Sequence, residues 1–187
     1  MAGFEERFVL GICGPPGAGK STVAARIARL TSGVVVPMDG FHLSDDELAR
    51  RGLSSVKGAP STFDVDAYVG LLRRLRSEKH VLAPAFDRDA EETMPAAIDV
   101  LPSHRLVVTE GNYLLLDSPG WSAVRPLLDE CWYVDIDDSV RVERLIERHV
   151  SHGRSREDAT EWVLRSDDAN AQLVKATRAR ADLVVQQ

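Results

Sequence analysis

The sequence predicts an α/β fold with a central parallel sheet of about five strands and helices on its faces. Three observations carry this reading. Apolar runs at 7–13 (RFVLGIC), 33–39 (GVVVPMD), 105–110 (RLVVTE), 130–136 (ECWYVDI) and 182–185 (DLVV) are continuous rather than alternating. Strands covered on both faces look this way. The first run is followed by a helical pattern at 20–30, with Val23, Ile27 and Leu30 at helical spacing. A glycine-rich turn, GPPGAGKS, joins the two.

Taken in order, the first strand ends at Cys13 and the first helix begins at Lys20. The second strand closes on MDG, and a long excursion over 40–104 comes next. It holds an amphipathic helix from Asp64 to Arg76, with Val65, Tyr68, Val69, Leu72 and Leu75 on one face. The rest of the excursion is rich in Pro, Gly and charge, and so long a connection in a compact domain is usually functional. After the strands at 105–110 and 130–136, residues 139–181 read as mostly helical with a break at SHGRS. Gly153 suits the end of one helix, and Ser155 with Asp158 resembles a capping box that starts the next. Trp121, Trp132 and Trp162 read as core residues.

The chain has 187 residues, enough for a single domain over 1–187 and few for two. Its formal charge of -6 argues against nucleic acid as a partner, because binding a phosphate backbone needs a basic face. Cys13 and Cys131 lack the companions that a disulfide framework or a zinc site requires, so both read as buried reduced thiols. The opening MAGFEERFVLG is not a signal peptide, and no apolar segment is long enough to span a bilayer. The expectation is a cytoplasmic protein without a membrane partner. A homodimer is compatible with the sequence, which sets no oligomeric state.

Gly14, Pro15, Pro16, Gly17, Ala18, Gly19, Lys20 and Ser21, with Thr22 next in line, match G-x-x-x-x-G-K-[ST] between a strand and a helix. In a P-loop NTPase the glycines let backbone N–H groups turn toward phosphates, and the helix N-terminus adds a favourable dipole. Lys20 would reach the β- and γ-phosphates of ATP, and Ser21 would bind Mg²⁺. Enzymes, switches and motors share this loop, so it does not choose among them. The stretch after the fourth strand, DIDDSV, lacks the N-K-x-D of a guanine-specific switch, and the chain is short for a motor. A small kinase remains. Asp39 and Glu110 each fall at the carboxyl end of a strand, the edge where open α/β sheets bind ligands. A carboxylate at Asp39 can accept the proton of an attacking hydroxyl or help arrange the Mg²⁺ shell, and with Glu110 and the phosphate loop it makes a coherent phosphoryl-transfer site.

GPPGAGKST, MDGFHL, KGAPSTFDV, PAFDR and EGNYLLLD, in that order, resemble the P-loop kinases of the pantothenate kinase, uridine kinase and phosphoribulokinase group. The likeness is strongest to bacterial proteins described as nucleoside or fructose-transport kinase-like, and it runs from about residue 7 onward. It implies Asp39 as catalytic base and Glu110 near metal and acceptor. It also implies an acceptor pocket shaped by 57–64 and 84–88, which singles out Lys57, Asp87 and Arg88. The arginine-rich segment at 144–156 resembles a helical lid. There Arg144, Arg148 and Arg154 compete to touch the phosphates, and Arg148 and Arg154 flank the break. His42 is placed to hydrogen-bond an acceptor hydroxyl, Arg88 to clamp an anionic group, and Asn112 and Tyr113 to line the pocket. FDR at 86–88 differs from the Tyr-Ser-His of pantothenate kinases and the Tyr-Asp-Phe of uridine kinases, so neither acceptor is carried over.

The function expected is transfer of the γ-phosphoryl group of Mg-ATP to a hydroxyl of a small polar metabolite. A nucleoside, a sugar or a pantothenate-like alcohol would qualify. The alternatives are a nucleotide-dependent regulatory ATPase, whose excursion binds a protein, and a nucleoside-monophosphate kinase. DGFH favours a hydroxyl acceptor, because a phosphate acceptor needs no base.

Overall fold

Every strand of the central sheet is parallel to its neighbours, and strand order places the carboxyl ends of three of them around one point. The structure is a computed structural model that describes residues 6–87, 90 and 92–187. In chain order the elements are β1 (Phe8–Cys13), α1 (Lys20–Thr31), β2 (Val34–Pro37), α2 (Asp45–Arg51), α3 (Val65–Ser77), β3 (Val81–Asp87) and β4 (Glu92–Val100). They continue with β5 (Leu106–Gly111), β6 (Glu130–Asp135), α4 (Asp138–Ser151), α5 (Arg156–Trp162), α6 (Asp168–Lys175) and β7 (Leu183–Gln186). The five-stranded sheet runs β2-β5-β1-β6-β7, while β3 and β4 form a separate antiparallel pair. Cys13 pairs with Gly111 on one side and Tyr133 on the other, and Pro37 pairs with Glu110. The ends of β1, β2 and β5 therefore lie level, at the point where the connections change direction.

Two apolar layers hold the sheet. The smaller lies under α1 and includes Leu10, Ile12, Ala24, Val108 and Val134. The larger packs the buried face of α3 (Tyr68, Val69, Leu71, Leu72 and Leu75) against the sheet together with Phe63, Tyr113 and Trp121. Trp121 is a core residue, but the other two tryptophans are not fully buried. Trp132 is half-buried at the margin of the smaller layer and donates its Nε1 hydrogen to Glu130 at 2.7 Å. Trp162 is half-buried beneath the Arg154 guanidinium, 4.4 Å from its ring. Cys13 and Cys131 are both buried free thiols. No helix among the described residues is long and apolar enough to cross a membrane.

Two local departures from the sequence reading, and one close backbone approach, matter for the site. β2 stops at Pro37, and Met38–Phe41 form a tight 3₁₀ turn, so Asp39 sits just past the strand rather than on it. Gly40 has no special φ; a Cβ there would lie 2.5 Å from the Pro84 carbonyl oxygen, so its role is close approach to β3. The excursion contains the β3–β4 hairpin, with a register shift around Pro84 and an almost wholly exposed β4. The helical break falls as expected. Gly153 lies between α4 and α5, and Ser155 Oγ accepts from the Asp158 amide at 3.1 Å.

Arg7 fastens this excursion to the sheet. It is 2% exposed, immediately before β1, and its guanidinium donates to Leu75 O at 3.0 Å and Glu78 O at 2.6 Å. It also donates to Lys79 O, and at 3.4 Å to Leu101 O. One side chain thus satisfies carbonyls at the end of α3 and at the base of the hairpin, groups that neither helix nor ladder pairs. Arg76 reinforces it from α3, pairing with Asp129 at 2.9 Å and donating to Arg7 O at 3.1 Å. Arg7→Met, close in volume but without donors, should lower unfolding free energy by about 3 kcal/mol. A denaturant titration checks this; a midpoint within error of the parent would show the carbonyls are satisfied otherwise.

Candidate active site

The loop between β1 and α1 is built to hold an anion. Gly17 and Gly19 take φ of 83° and 86°, the left-handed region that glycine enters without strain. Gly19 caps α1 without a side-chain hydrogen bond, which leaves the first-turn N–H groups to a ligand. Gly14, Pro15 and Ala18 are buried and form the frame of the loop. A Cβ on Gly17 would meet the Arg141 carbonyl oxygen at 2.9 Å, so α4 braces the loop from outside. Arg141 is itself wholly buried, held by Asp138 at 3.1 Å and Asp168 at 2.8 Å.

Lys20 is 8% exposed, and its Nζ donates to Pro15 O at 3.0 Å. Burial pulls the ammonium pKa down, and Arg148 adds to that pull; Glu110 and Asp39 oppose it. Ser21 Oγ donates to Glu110 Oε1 at 2.7 Å, and Glu110 is buried at the end of β5. Cys13, behind the loop, has its thiol pushed up to about 11 by burial, which makes it inert as a nucleophile.

These groups open into a cleft of about 340 Å³. Pro16, Gly17, Gly19, Lys20, Ser21 and Thr22 form its phosphate-loop side. Asp39 and His42 come from the turn after β2, Gly58 and Phe63 from the excursion, and Glu110 and Asn112 from the end of β5. Arg144, Leu145 and Arg148 of α4, with Asp167 and Asn170, close the far wall. The His42 ring lies between Phe63 at 4.0 Å and Phe86 at 4.9 Å. It is also part of a second cavity of about 370 Å³, beside Ser44, Asp45, Asp46, Glu92 and Thr93. Among the described residues no three metal-ligating side chains cluster. The hard oxygens of Ser21 and Glu110 suit Mg²⁺, which takes one or two protein ligands and completes its shell with phosphate and water.

The structure thus brings Lys20, Ser21, Thr22, Asp39, His42, Glu110, Asn112 and Arg148 to one cleft, with Arg144 beside them. Besides Gly14, Pro15 and Ala18 in the buried frame of the loop, four expected residues do not line it. Lys57 ion-pairs with Asp45 at 2.8 Å, and Asp87 accepts from the Ala90 amide at 3.1 Å in the hairpin turn. Tyr113 is 1% exposed and donates its hydroxyl to Gly58 O at 2.5 Å, so it shapes the wall from behind. Arg154 stacks on Trp162 instead of facing the phosphate loop. Arg88 lies outside the described residues. The sequence reading does not single out Asp167 and Asn170. Their signal is a run of polar residues (SDDAN) in the middle of a helical segment.

The chain matches the phosphoribulokinase / uridine kinase family over residues 9–187. A Schizosaccharomyces pombe protein that carries a provisional uridine kinase name is 35% identical, across 98% of this chain and 84% of that one. A crystal structure from Silicibacter sp. TM1040, provisionally described as a fructose transport system kinase, is similar with TM-score 0.90 and 36% identity. That match covers 96% of this chain and 90% of that one. Phosphoribulokinase from Rhodobacter spheroides shares the fold, with TM-score 0.70 at 13% identity over 97% of this chain and 70% of that one. By loop, sheet order and match over nearly its whole length, this chain belongs to the phosphoribulokinase / uridine kinase family of P-loop kinases.

Proposed function

We propose that the protein transfers the γ-phosphoryl group of Mg-ATP to a hydroxyl of a small polar metabolite, with Asp39 as general base. The observation that carries this is the shared cleft, where Asp39 faces the same space as Lys20 and the Ser21–Glu110 pair. The loop amides and Lys20 would hold the β- and γ-phosphates, and Ser21 and Glu110 would hold Mg²⁺, whose chemistry there is to offset negative charge. The acceptor oxygen attacks the γ-phosphorus, its proton passes to Asp39, and the bond to the ADP oxygen breaks. Arg144 and Arg148, one turn apart on α4, face the transferring group and offset its charge. A nucleoside, a sugar or a pantothenate-like alcohol fits the chemistry. ATP consumption that rises only when such a metabolite is added separates this reading from a regulatory ATPase.

Lys20→Ala should abolish most turnover and weaken Mg-ATP binding, because Lys20 is the side-chain charge of the loop. A folded variant with unchanged affinity and turnover would remove the phosphate-loop assignment.

Asp39→Asn keeps the shape of the turn and removes the proton acceptor. Transfer should fall by about 10²–10⁴-fold, the range for loss of a general base. Mg-ATP affinity, read by titration calorimetry, should change far less. A parallel collapse of both would make Asp39 part of the metal shell, and no change in transfer would move the base to Glu110.

Closure should join the excursion to the end of α4. Amide exchange in 81–87 and in 148–156 should slow only when a nucleotide analogue and an acceptor are both bound. Equal protection without ligands would mean the two segments do not move.

A further inference from the structure

Between α5 and α6 the helical chain does not break but widens into a π turn over Val163–Asp167. A π turn adds a residue to the helical circuit and re-aims the side chains beyond it, and such turns recur at functional sites. Here it separates two needs. Val163, Ala171 and Val174 remain in the apolar layers, while Asp167 and Asn170, three apart, line the cleft.

Three polar residues in this segment lie against the fold, and two have partners. Asp168 takes Arg141 Nη2 at 2.8 Å, and Asp167 Oδ2 lies 3.1 Å from His149 Nε2. Asn170 is 7% exposed and lines the cleft, where its carboxamide stays within reach of water. An amide at a cleft wall whose hydrogen bonds go to water can exchange that water for a ligand hydroxyl. Its position indicates which ligand. A Cβ on Gly58 would stand 3.9 Å from Asn170 Nδ2, so the carboxamide faces the excursion.

We propose that Asp167 and Asn170 bind adjacent hydroxyls of an uncharged polyhydroxyl acceptor and that Asp167 excludes anionic ones. The assignment of that ligand as the acceptor rests on the kinase reading above. With His149 donating to one carboxylate oxygen, the other accepts from a hydroxyl. The Asn170 carboxamide, donor and acceptor at once, pairs with its neighbour. A carboxylate or phosphate in the same place would meet the Asp167 charge in a partly buried site, where screening is weak.

The test is calorimetry with a non-hydrolysable Mg-ATP analogue bound, using D-fructose and uridine as neutral probes and D-glycerate and shikimate as carboxylates. At least one neutral probe should bind the parent protein, and neither carboxylate should. Asn170→Ala, or Asn170→Leu if volume must be kept, should weaken that binding by about ten-fold or more without an equal loss for the analogue. Asp167→Asn should admit a carboxylate. The inference is overturned if carboxylates bind the parent as well as neutral probes do, if no neutral probe binds, or if both Asn170 variants keep full affinity. Binding as expected without any ATP consumption would instead remove the kinase reading and leave this site standing.

Discussion

Lys20 carries its charge at 8% exposure, and the surrounding elements are arranged so that a buried ammonium is tolerated. Burial works against the charged form, while Glu110 from the end of β5 and Asp39 from the turn after β2 work for it. The parallel register brings those two carboxylates level with the phosphate loop, since Pro37 pairs with Glu110 and Cys13 with Gly111. Sheet order is therefore the condition under which the charge can be buried. With the carboxylates and the Pro15 carbonyl in place, the ammonium is held in position before any nucleotide arrives.

The side of the cleft proposed above to take the acceptor is organised on a different principle. It hangs on an excursion that contributes no strand to the main sheet, and two guanidinium groups, one buried and one half-buried, hold it rather than a continuous ladder. Arg7 gathers carbonyls from α3 and the hairpin, and Arg76 returns from α3 to the segment before β1. A ring cluster of Phe63, Tyr113 and Trp121, with centroids 5.3–6.0 Å apart, fills the space beneath. The phosphate-loop side is thus fixed by the sheet, and the facing side by a packed insert with its own fastening.

Legibility in the sequence divides along the same line. Strands buried on both faces write themselves as apolar runs, and the phosphate loop writes itself as a motif, so β1, α1, Lys20, Ser21 and Glu110 are legible. The β3–β4 hairpin is not, because Pro84 and Pro95 interrupt it and β4 exposes residue after residue. Lys57, Asp87 and Arg154 carry suitable chemistry, but local partners engage them: Asp45, the hairpin amide and Trp162. No linear pattern displays such competition. Asp167 and Asn170 are hidden for a third reason, since a reading at 3.6 residues per turn has no place for a π turn.

Arg141 gives α4 a mechanical character. Its backbone rests on Gly17, and its guanidinium is tied to Asp138 and Asp168, so the N-terminal end of the helix is pinned to both the loop and α6. Arg144 and Arg148 stand progressively farther from that pin, and the helix runs out at Ser151, before Gly153. The geometry is that of a lever with its fulcrum under the phosphate loop. A small rotation there displaces Arg144 little and Arg148 more, so the two arginines would reach the nucleotide in sequence.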